Sequence, residues 1–311
     1  MSKIAFVFPG QGAQYVGMAK EISELSGAAT HILDDATDAL GFDIRDMIFE
    51  GDEETLKITE NTQPAILAAS IACAQPLIEA GIKADYTGGL SLGEYAAHVI
   101  SGSIEFKDAI KIVRKRGKYM QEAVPLGKGS MAAILGLSRD DVIETCREAS
   151  VKGIVSPANF NCPGQIVIAG EVEAINEAIR IAAGKGAKRA MLLNVSAPFH
   201  CSLLEPAGEK LSKELEDVAV KPMNIPVVTN VTGKIIESEA DIKDLLVKQV
   251  STSVLWEDCV RTLIEKGVDT FIEIGPGKVL SGFIKKIDKE VRILNVEDKA
   301  SLDNTIAVLK G

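Results

Sequence analysis

From its first residues to about Glu122 the chain alternates short apolar runs with segments of helical periodicity, and no other feature constrains its fold as strongly. Ile4–Phe8 has the continuous apolar character of a strand buried on both faces. Helical patterns follow over Ile22–Leu40 and, Ala-rich and apolar, over Pro64–Ala80. Tyr86–Leu90 reads as a short strand, Leu92 to about Ile100 as a helix, and Phe106–Glu122 as a basic amphipathic helix. Strands separated by helical crossovers pair in parallel and carry their helices on the faces of the sheet. The spacing therefore predicts an α/β fold with a mostly parallel sheet.

The middle of the chain breaks this rhythm. Ser130–Leu135 reads as a strand, Arg139–Ser150 as a helix, Ile154–Asn159 and Gln165–Ala169 as strands, Glu171–Lys185 as a helix and Ala190–Val195 as a strand. The order β-α-β-β-α-β is that of a ferredoxin-like α+β module. Pro125-Leu-Gly-Lys-Gly129 precedes it and Ala197-Pro198 follows, both suited to chain crossings. The expectation is a small inserted domain over residues 124–197, within a large domain built from 1–123 and 198–311. Past the insertion, Pro226–Asn230 and Thr270–Ile274 read as further buried strands, and Gly275-Pro-Gly277 ends the second.

Composition narrows the class of partner. The 311 residues carry a formal net charge of −10, the wrong sign for a nucleic-acid surface. No apolar run approaches the ~18 residues of a membrane span, and Met1–Pro9 lacks the pattern of a cleavable leader, so a cytoplasmic protein that does not bind membranes is expected. The five cysteines form no C-x-x-C pair, which leaves neither a zinc site nor a disulfide framework to propose.

The sharpest local signal is Gly88-Gly89-Leu90-Ser91-Leu92-Gly93-Glu94. It holds G-x-S-x-G between a strand-like and a helix-like run, the setting of a nucleophile elbow. A serine lifted off a strand end at the start of a helix faces free backbone N–H groups, and the N–H of Leu92 is a natural oxyanion donor. The same residues also spell a capping box, with Glu94 three positions after Ser91. A serine nucleophile needs a base, and the chain has three histidines. His31 lies in an acidic helical stretch. His98 is two helical turns past Ser91, about 10 Å along the axis. His200 follows a proline in a loop at the second crossing, which leaves it as the candidate base. The order Ser then His fits an α/β-hydrolase-like core. No acidic residue is an obvious orienter for the imidazole, and a backbone carbonyl is an alternative.

Taken together, Phe8-Pro-Gly-Gln-Gly-Ala-Gln14, Gly89-Leu-Ser-Leu-Gly-Glu94, Arg116-Gly117, Asn159-Phe-Asn-Cys-Pro-Gly-Gln165, Ala197-Pro-Phe-His200 and Glu273-Ile-Gly-Pro-Gly277 resemble the malonyl-CoA:acyl carrier protein transacylases over nearly the whole chain. The resemblance implies a malonyl ester on Ser91, a Ser91–His200 dyad, a second oxyanion donor at Gln11 beside Leu92, and an Arg116 that pairs with the free carboxylate of malonyl. It implies that the backbone carbonyl of Gln249 orients His200, and that Phe199 crowds a 2-methyl branch. Malonyl-CoA and acyl carrier protein are the implied partners, with no metal or redox cofactor and a monomeric enzyme. One departure is plain: the family usually has His where this chain has Leu90. Three rival readings remain: a serine thioesterase, a non-catalytic carrier-binding module, and an acyltransferase that loads a polyketide carrier. An acidic carrier would need a local basic patch, for which the 111–118 helix and Lys185, Lys188 and Arg189 are candidates.

Overall fold

A computed structural model of the chain describes residues 2–195 and 197–311. Among the described residues eight strands form two four-stranded sheets. They are β1 (Lys3–Phe8), β2 (Tyr86–Gly89), β3 (Gly129–Leu135), β4 (Val155–Cys162), β5 (Gln165–Glu171), β6 (Arg189–Leu192), β7 (Val268–Ile274) and β8 (Arg292–Val296). The first sheet is parallel, in the order β2-β1-β7-β8, with Ala5 of β1 opposite Tyr86 on one side and Phe271 on the other. The second is antiparallel, in the order β4-β5-β3-β6. The chain is therefore a mixed α/β protein with one sheet of each kind.

Burial explains the patterns that carried the reading. Ala5–Phe8 of β1 is fully covered, which is why the strand is apolar without alternation. The long helix Thr59–Glu79 is buried from Gln63 to Ala74 and is apolar all round, with Pro64 and Pro76 inside it. It packs with the helices Gly27–Leu40 and Phe106–Glu122 in the largest core cluster. The antiparallel sheet has its own core, in which Ala132, Ile134 and Ile168 meet Val142 of the helix Arg139–Ala149 and Ile175 and Ala178 of the helix Val172–Gly184.

Two expected elements are corrected. The single helix over Ile22–Leu40 is two helices, Lys20–Leu25 and Gly27–Leu40. Ser26 between them is extended, and its hydroxyl accepts from the N–H of Ala29 at 3.1 Å, so a serine inside a helical pattern acts as the cap of a new helix. Pro226–Asn230 is not a strand. It meets β2 at one parallel bridge, Thr87 with Val227, through the Thr87 N–H to Pro226 O (3.0 Å) and the Val228 N–H to Thr87 O (2.9 Å). Pro226 has no N–H to extend the ladder. The N–H of Asn230 is taken by a carboxylate of Glu94 at 2.9 Å, so the segment leaves the sheet to serve the site. The edge strand β8 and the helices beyond residue 200 escape the sequence reading; Arg292–Val296 is only five residues with a charged start.

Candidate active site

The site is built on the turn from β2 into the helix Gly93–Ser101. Ser91 sits at φ 52°, in the left-handed region that a residue with a Cβ rarely enters. Its neighbours have no room for side chains. A Cβ on Gly89 would lie 2.1 Å from the carbonyl carbon of Gly93, and one on Gly93 would lie 2.1 Å from the oxygen of Phe8. Asn230 clasps the turn: its Oδ1 accepts from the N–H of Ser91 (2.6 Å), and its Nδ2 donates to Gly89 O (2.8 Å). Glu94 does not cap this helix through Ser91. It is fully buried, and its carboxylate accepts from Thr229 Oγ1 (2.8 Å), Asn230 N (2.9 Å) and Gln249 Nε2 (2.7 Å).

His200 is, like Ser91, held at positive φ, at 62°. Its Nε2 is 2.7 Å from Ser91 Oγ, and its Nδ1 is 2.8 Å from the backbone oxygen of Gln249. A carbonyl only accepts, so Nδ1 carries the proton and the Nε2 lone pair faces the serine hydroxyl. Burial and the nearby Arg116 charge push His200 down to about 3, against a smaller opposing effect from the Gln249 bond, so the free site holds a neutral imidazole at neutral pH. The other histidines lie elsewhere. His31 is exposed. His98 is buried, with Nδ1 2.9 Å from Ser103 Oγ, and burial pushes it down to about 3.

Arg116 departs from the solvated charges around it. Lys111, Lys115 and Lys118 on the same helix are exposed, while Arg116 is 1% exposed. Its Nη1 donates to Gln63 Oε1 (2.9 Å), and its Nη2 donates to Ser91 Oγ (3.1 Å) and Gln249 Oε1 (3.0 Å). It lies over the Tyr95 ring at 5.5 Å, and its Nε has no partner among the described residues. Among those residues no carboxylate is within ion-pair distance of it, and burial holds its pKa below the usual guanidinium range. A buried cation whose direct hydrogen-bond partners are all neutral is suited to receive an anion.

These groups face one cavity of about 510 Å³ between the two sheets. Gln11 and Leu92 line it with Ser91, His200 and Arg116, and neither the Gln11 nor the Leu92 backbone N–H has an acceptor among the described residues. Phe199 is 8% exposed and forms part of the wall, as do Leu90, Met131 and Asn161. Gln249 is fully buried beneath the floor. None of Lys111, Lys115, Lys118, Lys185, Lys188 and Arg189 lines the cavity. Sequence reasoning missed Asn230, Gln63 and the burial of Glu94. The bonds from Gln63 to Arg116, from Asn230 to Ser91 and from Glu94 to Gln249 join residues 53 to 155 positions apart, and no local pattern encodes such pairs.

Residues 5–303 match the family model described as "Acyl transferase domain". The chain belongs to the acyl transferase family. A malonyl CoA-acyl carrier protein transacylase of Bacillus subtilis (strain 168) is 46% identical over 311 residues, spanning 100% of this chain and 98% of that protein. The solved malonyl CoA-acyl carrier protein transacylase of Clostridium perfringens ATCC 13124 superimposes with a TM-score of 0.97 at 47% identity, over 99% of this chain and 98% of that one. A third relative, solved as a malonyl-transacylase in complex with a type II polyketide acyl-carrier protein, gives a TM-score of 0.96 at 43% identity, over 99% and 100% of the two chains. Within this acyl transferase Leu90 occupies the cavity wall next to Ser91, and its oxygen lies 2.6 Å from where a Cβ on Gly10 would stand.

Proposed function

We propose that this acyl transferase moves a malonyl group from malonyl-CoA to the phosphopantetheine thiol of acyl carrier protein through an ester on Ser91. The observation that carries the choice of malonyl is the buried Arg116 guanidinium, which lies 3.1 Å from the Ser91 hydroxyl with no carboxylate in direct contact with it among the described residues. A malonyl thioester brings the missing carboxylate, and a planar guanidinium grips it with two parallel hydrogen bonds.

Ser91 Oγ attacks the thioester carbonyl as its proton passes to His200 Nε2, while Nδ1–H stays on the Gln249 carbonyl. The carbonyl oxygen takes up the negative charge between the N–H groups of Gln11 and Leu92. The carbon–sulfur bond breaks, coenzyme A leaves with the proton from His200, and the malonyl ester remains. The carrier thiol then gives its proton to His200, its sulfur attacks the ester, and Ser91 recovers its proton. Phe199 beside the base narrows the space for a 2-methyl branch.

The fold supports this division of labour. Residues 1–123 and 198–311 form a hydrolase-like core that presents the elbow, and residues 124–197 form a ferredoxin-like module whose order β4-β5-β3-β6 follows from a split β-α-β. The module closes the cavity from the Met131 and Asn161 side. A polyketide carrier as acceptor is the second reading, favoured by the relative solved with such a carrier.

Initial rates measured with malonyl-CoA and a holo carrier protein test the proposal. Parallel double-reciprocal lines, with malonyl recovered on the carrier in step with coenzyme A release, are expected. Coenzyme A release that depends on water and is indifferent to the carrier would make the protein a thioesterase.

A further inference from the structure

Among the described residues no acid is in contact with the serine–histidine pair, yet a carboxylate lies one residue below. We infer that Glu94 is a positioning residue for both members of the pair, acting through Gln249 and Asn230. The inference rests on the transacylase reading above. One oxygen of Glu94 accepts from Thr229 Oγ1 (2.8 Å); the other accepts from Asn230 N (2.9 Å) and Gln249 Nε2 (2.7 Å). Asn230 in turn receives the N–H of Ser91, and the Gln249 backbone oxygen receives Nδ1–H of His200. The carboxylate thus joins the segment that holds the nucleophile to the helix Ile242–Ser251, which holds the base.

Its charge also sets the direction of the Gln249 amide. An ionised carboxylate only accepts, so the amide must turn Nε2 toward Glu94. That leaves Oε1 to accept from Arg116 Nη2 at 3.0 Å. The opposite amide orientation would set oxygen against carboxylate and N–H against guanidinium. A protonated Glu94 loses this command, because one of its oxygens becomes a donor and one of its three partners has to turn or detach. The titratable groups that face it are Arg116 on the helix Phe106–Glu122, Cys259 on the helix Trp256–Glu265 and its neighbour Tyr95; the Thr229–Asn230 segment and Gln249 add none. Burial dominates and raises Glu94 to about 7, against the opposing hydrogen bonds and the Arg116 charge. His200 is held near 3, so the two groups titrate in separate ranges.

The test is the pH profile of single-turnover Ser91 acylation at saturating malonyl-CoA, for the wild type, Glu94→Gln and Glu94→Asp. The wild-type rate should fall as pH drops through about 7. Glu94→Gln has the shape and hydrogen-bonding pattern of the protonated acid. It should be flat with pH and slower at pH 8 by about 10- to 100-fold, the loss seen when an orienting outer partner is removed from other sites. Glu94→Asp should keep an acid limb. A wild-type profile flat from pH 8 to 5, or a Glu94→Gln profile that keeps the wild-type limb, overturns the inference. The wild-type and Glu94→Asp curves decide the matter if Glu94→Gln does not fold. A wild type that never forms the ester overturns the transacylase reading itself, which is a separate outcome.

Discussion

At the scale of single residues the site is a set of polar groups taken out of water and matched to one another. Arg116 is the group whose match inside the protein is incomplete, with Gln63, Gln249 and Ser91 bonded to it and no anion in direct contact among the described residues. Arg116→Ala should therefore remove most of the preference for malonyl-CoA over acetyl-CoA, and Arg116→Lys should restore little of it, because an ammonium offers a point charge in place of a planar fork. The ratio of the two kcat/KM values measures this, and an unchanged ratio in Arg116→Ala would refute the role. Arg116 also marks the limit of what the sequence discloses here. By composition it is one of a run of basic helix residues, and its burial comes from helical phase together with the packing of the helices Thr59–Glu79 and Gly93–Ser101 around it. Ser91 was legible because G-x-S-x-G between a strand and a helix is a local pattern. His200 was legible because the other two histidines are poorly placed for the task. Asn230 and Gln249 were not legible from periodicity. Gln249 came only through family resemblance, since a backbone carbonyl that orients an imidazole leaves no trace in residue type.

At the scale of elements, the turn between β2 and the helix Gly93–Ser101 converts a strand end into a presented hydroxyl. Ser91 and His200 are both held at positive φ by their surroundings, so the segments that carry them store strain at the reacting groups. Gly93 is a tight point, because the helix start packs onto the oxygen of Phe8 at the end of β1. Gly93→Ala should destabilise the fold by about 1–3 kcal/mol or more, as overpacking does. Gly27→Ala, where a Cβ meets nothing within 4 Å, should stay within about 0.5 kcal/mol of the wild type, as surface changes do. Urea midpoints compare them, and similar stabilities would mean that the elbow is looser than its contacts imply. The alternation of apolar runs disclosed the elements of the parallel sheet up to β2, and the β-α-β-β-α-β order disclosed the antiparallel one. It failed where side chains override periodicity, at Ser26, which caps a new helix, and at Pro226, which stops a ladder.

At the scale of the whole molecule, buried ionisable groups tie stability to pH. His98 and His200 are held near 3 in the folded chain against 6.5 for a free imidazole, so the unfolded chain binds more protons between those values. Their contribution is therefore complete above pH 6.5 and is lost as pH falls, at about 1.4 kcal/mol per group per pH unit. Glu94 works in the opposite sense: raised from 4.5 to about 7, it favours folding on the acid side and gives up stability as pH rises through that window. Glu273, also raised by burial, shares the sense of Glu94, so His98 and His200 are the groups expected to cost the protein stability between pH 6.5 and 5. His98→Gln should lessen the loss in urea midpoint over that interval, and an unchanged loss would place its origin elsewhere. The net charge of −10 is the wrong sign for a general attraction to an acidic partner, so an acidic carrier would have to find local positive surface away from the general field. The proposed transfer turns on one covalent event, the acylation of Ser91. Intact-mass measurement after exposure to malonyl-CoA should show one malonyl group added per chain in the wild type and none in Ser91→Ala; a Ser91→Ala protein that still gains the malonyl mass would contradict it.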